Sequence, residues 1–214
     1  IVPWPGTVSA SSIGHGLGVK PSMVILKSRS NTYGWYTWHK GLSSEMNKYL
    51  RLDGNGSVAT DTSAFGSTAP TTTVFPIGTG NAGTNSSGHT YVAYCFAEKQ
   101  GFSKFGSYTG NGNDDGSFIF TGFKPAFILV KNAAITDNWS IFDNKRIGYN
   151  AFNYVLYADI TNVGSNGLPM DILSNGFKWR TSAAMVNGSG NNCIYMAFAE
   201  SPIVSSNGVP AVAR

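Results

Sequence analysis

Oxygen-bearing side chains alternate along Asn111-Gly-Asn-Asp-Asp115 before Gly116, the first half of a calcium-binding loop pattern. The glutamate that completes such a loop is missing, because Gly122 stands in its place. The segment reads instead as an Asn/Asp/Gly turn, whose residues tolerate positive φ, and no metal is expected there. Glu98 and Glu200 end two matching segments. They could serve as a glycosidase-like pair only if their carboxyl groups lay roughly 5 to 9.5 Å apart. The simpler expectation is that each ends a strand and pairs with a nearby Lys or a backbone donor. His15, His39 and His89 are not spaced as metal ligands, and no serine sits in a nucleophile-elbow context. Gly14-His-Gly-Leu-Gly18 lacks the following helix that phosphate cradling needs. A non-enzymatic protein without a cofactor is expected.

Aromatic side chains are the remaining chemistry. Trp35 and Trp139 recur in two copies of a repeated pattern, which points to the core. Trp4, Tyr33, Tyr36 and Trp179 have no such aromatic counterpart and are the candidates for an exposed platform. Sugar rings stack their C–H faces on aromatic planes, while Asn113 and Asp114 offer groups for the hydroxyls. Edge-strand packing or a subunit contact would explain the same four aromatics equally well.

The elements that must position these residues come in duplicate. Gly18-Val-Lys-Pro-Ser-Met-Val-Ile-Leu-Lys27 returns as Gly122-Phe-Lys-Pro-Ala-Phe-Ile-Leu-Val-Lys131, and Gly6 with Gly110 and Trp35 with Trp139 keep the same spacing of 104 residues. The match then slips by two, so that Gly88 to Glu98 answers Gly190 to Glu200. Met23 to Leu26 and Phe127 to Val130 are short continuous apolar runs, expected as central strands covered on both faces. Further strands are expected at 35–38, 49–52, 91–97, 139–142, 154–157 and 194–199, with edge strands at Val74-Phe75 and Phe177 to Arg180. Leu42 to Leu52 carries the one plausible helical turn, although its end suits a strand too. Gly54 to Thr73 reads as a long surface loop. The segment from Gly101 to Gly112 carries aromatics at 102, 105 and 108 and is too apolar for a free linker. The expected fold is all-β, a tandem pseudo-twofold repeat of antiparallel β-sandwich units at 1–104 and 105–214, packed together and ending in an exposed tail from Ser205.

Composition supports a neutral recognition surface. Charged residues are 12% of the chain, about half of the roughly 25% usual in soluble domains. Solubility must then come from Asn, Ser, Thr and Gly, groups suited to hydroxyl-rich ligands or to packing against other protein chains. The net charge of +4 arises from scattered Lys and Arg, so no nucleic-acid partner is expected. No apolar run is long enough to span a bilayer, and the N-terminus has no signal-peptide pattern, which suggests a trimmed or processed start. Cys95 and Cys193 fall at non-equivalent positions of the repeat and are expected as free, buried thiols.

The motifs Gly106-Ser-Tyr-Thr-Gly-Asn-Gly112, Thr121-Gly-Phe-Lys-Pro125, Ser174-Asn-Gly-Phe-Lys178 and Tyr195-Met-Ala-Phe-Ala-Glu-Ser-Pro202 resemble a repeat domain of tail-fibre and other virion proteins of marine bacteriophages. His15 to Pro21 and Tyr91 to Glu98 resemble the first half of the same domain, so the similarity covers roughly residues 13 to 202. The ending Val209-Pro-Ala-Val-Ala-Arg214 is similar to that of family members and suggests the C-terminal end of the parent protein. The resemblance implies a virion or appendage location and brings no catalytic residues. The expected role is recognition of a host-surface glycan or protein by a homo-oligomer that also contacts other virion subunits. A purely structural fibre or shell subunit is the alternative, and a glycan hydrolase using Glu98 and Glu200 is a more distant third.

Overall fold

In the computed structural model, residues 1–201 are described except Gly148 and Val163, so the tail expected from Ser205 lies outside the described residues. The chain divides into two compact units, Ile1–Ala97 and a second that begins at Glu98.

In the first unit the strands are β1 (Val2–Pro5), β2 (Ser11–Gly14), β3 (Met23–Ser28), β4 (Tyr36–His39), β5 (Lys48–Arg51), β6 (Ala59–Thr60), β7 (Val74–Ile77) and β8 (Thr90–Phe96). The second unit contains β9 (Ser103–Thr109), β10 (Phe118–Phe120), β11 (Pro125–Asn132), β12 (Ser140–Asp143), β13 (Phe152–Tyr157), β14 (Ser165–Leu173), β15 (Gly176–Trp179), a short helix α1 (Ala184–Asn187) and β16 (Asn192–Ala199). Every strand pairing is antiparallel. No helix among the described residues is long and apolar enough to cross a membrane.

Sheet order repeats as the sequence does. The first unit runs β1-β8-β3-β4-β5-β6 with β2-β7 as a separate pair, and the second runs β9-β16-β11-β12-β13-β14-β15-β10 without a break. Register agrees at single residues: Leu26 faces Tyr36 as Val130 faces Ser140, and Ser28 faces Tyr91 as Asn132 faces Cys193. Each unit closes its own core. Trp4, Leu26, Trp38, Phe65, Phe75 and Tyr91 are among those packing in the first, and Val130, Phe142, Phe177, Trp179 and Tyr195 among those in the second. Fully burying one such side chain contributes roughly 1.5–3 kcal/mol.

In the second unit β9 and β10 are opposite edges of an eight-stranded sheet, yet they approach one another. Trp179 Nε1 on β15 donates to the hydroxyl of Tyr108 on β9 at 2.8 Å, and Ser117, just before β10, donates to the Thr109 carbonyl at 3.1 Å. The sheet therefore curls until its two halves face a single interior, a sandwich made from one nearly closed sheet.

The units differ at the edge of β7 that β2 leaves open, where β6 does not pair with it. Trp179 N–H donates to Ser117 O and Arg180 N–H to Pro169 O, so along β15 alternate residues face β10 and β14, and Lys178 presents its N–H to β14. Pro76 stands at the equivalent place in β7 and has no N–H to give, and no strand extends the sheet there. The 61–68 segment covers that edge instead, Gly78 N–H donating to Ala64 O at 3.3 Å.

Three expectations are corrected by the structure. The 54–73 stretch is no plain surface loop, because it inserts Ala64 and Phe65 fully into the core. The segment expected as an edge strand at Phe177 to Arg180 lies inside the sheet, between β10 and β14. The helical turn considered for Leu42 to Leu52 is absent, and Lys48–Arg51 is strand β5. Both cysteines are free, Cys193 buried and Cys95 half-buried.

Candidate functional site

Three of the expected platform aromatics belong to the core. Trp4 stacks on Tyr91 with centroids 5.6 Å apart, Tyr36 lies 5.0 Å from Tyr49, and Trp179, 0% exposed, packs edge-on against Phe142 and Phe177. The repeat explains why: β1 and β9 share a register in which Trp4 and Tyr108 are equivalent, so Trp4 does have an aromatic counterpart. Tyr33 remains exposed in the loop before β4, its N–H bonded to Asn31 Oδ1.

Asn113 and Asp114 sit in an exposed turn of the second unit whose side-chain oxygens serve the backbone. Asn111 Oδ1 accepts from Asn113 N–H, Asn113 Oδ1 from Asp115 N–H, and Asp114 Oδ1 from Ser182 N–H at 2.7 Å. Lys178 lies 2.7 Å from Asp115 and holds its carboxyl below the usual range. The first two contacts are Asx turns within the expected Asn/Asp/Gly turn, in which Gly112 takes the positive φ of 65°. Among the described residues no three His, Cys, Asp or Glu side chains are grouped to hold a metal ion. Of the six expected residues, Trp4, Tyr36 and Trp179 are thus buried, and Tyr33, Asn113 and Asp114 are exposed.

The two glutamates are ion-paired. Glu98 Oε1 lies 2.5 Å from Lys104 Nζ, and Glu200 lies 2.7 Å from Lys124 and 3.7 Å from Lys145. Hydrogen bonding to Lys124 holds the Glu200 carboxyl below its ordinary range. That is the opposite of the shift a glycosidase general acid requires.

A concave surface of mixed character opens at the seam of the second unit. The cleft, of about 550 Å³, has Glu98, Gln100 and Lys104 on the β9 side and Phe120 with Gly122 on the β10 side. Positive φ at Gly101 (71°) and Gly122 (82°) turns the chain sharply at both rims, a conformation that side chains with Cβ resist. Phe120 is 60% exposed. Thr121 and Ser103 are already committed, the first donating to Phe123 O at 2.6 Å and the second accepting from Lys99 N–H at 3.1 Å. The groups left to meet a ligand are an aromatic face, the Gln100 amide and the Glu98–Lys104 pair, which is partly exposed.

Sequence reasoning passed over Phe120, although a signal was present. Ile119 on β10 points into the core as Ile13 does on β2, and the flanking outward positions are Phe118 and Phe120 in one copy against Ser12 and Gly14 in the other. The core demands neither aromatic, and both are exposed, Phe118 at 47% and Phe120 at 60%.

A family model described as a domain of unknown function, DUF7483, matches residues 1–202 and so spans both units. No curated protein and no solved structure matches the chain.

Proposed function

We propose that this chain, which belongs to the DUF7483 family, is a non-enzymatic recognition module that binds a glycan or protein on a host cell surface. The phage-appendage setting of the proposal comes from the sequence resemblance alone. The observation that carries the binding role is the cleft at Phe120: an exposed aromatic ring opposite an amide and an ion pair, on rims fixed by two left-handed glycines. Such a surface offers a stacking plane for a sugar or an apolar side chain together with neutral and charged hydrogen-bonding partners. Supporting the absence of catalysis, Glu200 is held ionised by Lys124 and Glu98 is engaged by Lys104. A shallow site of this kind binds weakly by itself, and presentation of several copies in a homo-oligomer raises the avidity.

Adsorption of the purified chain to candidate host cells, together with a glycan array, tests the reading. Phe120→Ala is expected to reduce retention at least tenfold while leaving the unfolding midpoint nearly unchanged, since the ring is largely in solvent. Retention that is equal in the variant removes the cleft from the mechanism. Complete absence of retention, with light scattering showing self-assembly, favours the structural-subunit alternative.

A further inference from the structure

The place where the two units diverge has a surface of its own. Where β14 runs in the second unit, the first has the 61–68 segment, and between that segment and the β2-β7 pair lies a groove of about 440 Å³. Its floor is Pro76–Gly78, and six hydroxyl-bearing residues line it: Ser11 and Ser12 from β2, Thr62, Ser67 and Thr68 from the covering segment, and Thr79 after β7.

The groove is a consequence of fixed features of the chain. Pro76 denies a further strand its donor, which keeps the sheet from closing over this site. Gly78 cannot carry a side chain, since a Cβ there would come 2.3 Å from Ser63 O, and Gly66, at φ +122°, would bring one within 3.2 Å of Pro76. The covering segment is anchored from beneath by the fully buried Phe65 and Ala64, so its hydroxyls stand on a packed base.

No ionisable side chain lines the groove. A charged ligand would lose hydration on entry without gaining a counter-charge. Hydroxyls, by contrast, both donate and accept, and can match the hydroxyls of a sugar in either sense. The volume lies within the roughly 300–1,000 Å³ of small-molecule sites. We infer that this groove is a second binding site, in the first unit, for a short neutral saccharide.

The inference is separate from the cleft at Phe120, and the experiment keeps the two apart. The full-length chain, isotope-labelled, is titrated with neutral methyl hexosides and neutral disaccharides while backbone amide shifts are followed by NMR. The expected result is saturable movement of amides at 10–12, 62–68 and 76–79 by a neutral sugar, with little or none by a hexuronic acid. Ser12→Trp and Ser67→Trp fill the groove from opposite walls at exposed positions, and each should raise the dissociation constant for that sugar at least tenfold. Phe120→Ala should leave these shifts unchanged whatever it does to cell adsorption. No movement of those amides by any neutral sugar at tens of millimolar would sink the inference, as would undiminished binding by both tryptophan variants. Tighter binding of the uronic acid than of its neutral counterpart would overturn the neutral class.

Discussion

At the scale of single residues, duplication acts as an internal control. Asn85 and Asn187 are equivalent, both wholly buried, and each clamps the turn that follows the first strand of its unit. Asn85 Oδ1 accepts from Thr7 N–H and Asn187 Oδ1 from Asn111 N–H, and the asparagine carbonyls accept from Val8 and Gly112 in turn. The clamp imposes φ of +67° on Val8 and +65° on Gly112. Glycine takes that conformation freely, whereas a β-branched residue pays about 1–2 kcal/mol. Val8→Gly is therefore expected to stabilise the protein by about 1 kcal/mol in urea unfolding, less the extra freedom that glycine gives the unfolded chain. A destabilised variant would mean that Val8 makes contacts worth more than its strain. Lys131 offers a second residue-scale test. Its ammonium is fully buried and donates to Asn132 O at 2.7 Å and Ile135 O at 3.2 Å, and burial lowers its pKa from 10.5 to about 8 against the opposing charges of Asp137 and Asp159. Between those values the unfolded chain holds a proton that the folded chain has released, so this residue's contribution to stability rises with pH. Cys95 and Cys193, pushed by burial from 9 to about 11, act in the reverse sense from about pH 9 upward. The clean window is pH 8 to 9, where the stability of the wild-type chain should gain on that of Lys131→Met; parallel curves would refute the buried-ammonium account.

At the scale of elements, the sequence was most legible where both faces of a strand are covered. The apolar runs that became β3 and β11 lie at the centres of their sheets because only a strand buried on both sides is apolar without alternation. Strands β1 and β2 left almost no such trace, being interrupted by proline or short and polar, and β10, though wholly apolar, is only three residues long; the pairing of all three depends on distant partners. The aromatics were misplaced for a related reason. A missing counterpart in the repeat is no sign of exposure, because the copies fill equivalent volumes with different side chains, as Trp4 and Tyr108 or Ile77 and Trp179 show. The 61–68 segment hid its role because one phenylalanine among Gly, Ser and Thr has no period. Phe65 lies at 0% exposure within the core of the first unit. Phe65→Ala should therefore cost about 3–5 kcal/mol in chemical denaturation, where a true surface loop would give about 0.5 kcal/mol or less. A small loss would return the segment to the loop that its composition suggests.

At the scale of the whole molecule, the low charge density favours the proposed neutral partner over a polyionic one. Ion pairs among the described residues, such as Lys124–Glu200 and Lys104–Glu98, are partly open to solvent and contribute roughly 0–1 kcal/mol each. Stability resides instead in two apolar interiors and in buried hydrogen bonds such as those of Asn85 and Asn187. Neither the cleft at Phe120 nor the hydroxyl groove presents a concentrated field of one sign. Association through such surfaces gains little from long-range steering, which salt would screen over about 10 Å at 0.1 M. Raising sodium chloride from about 0.05 to about 0.5 M is thus expected to shift the unfolding free energy by less than about 1 kcal/mol and to change cell-surface retention by no more than about twofold. A polyanionic partner predicts a different curve, because each neutralised charge adds to the slope of affinity against salt and several together cost orders of magnitude. Retention that collapses over that range, with the folded state intact by circular dichroism, would replace the neutral-ligand reading with attraction between the chain's net charge of +4 and an acidic surface.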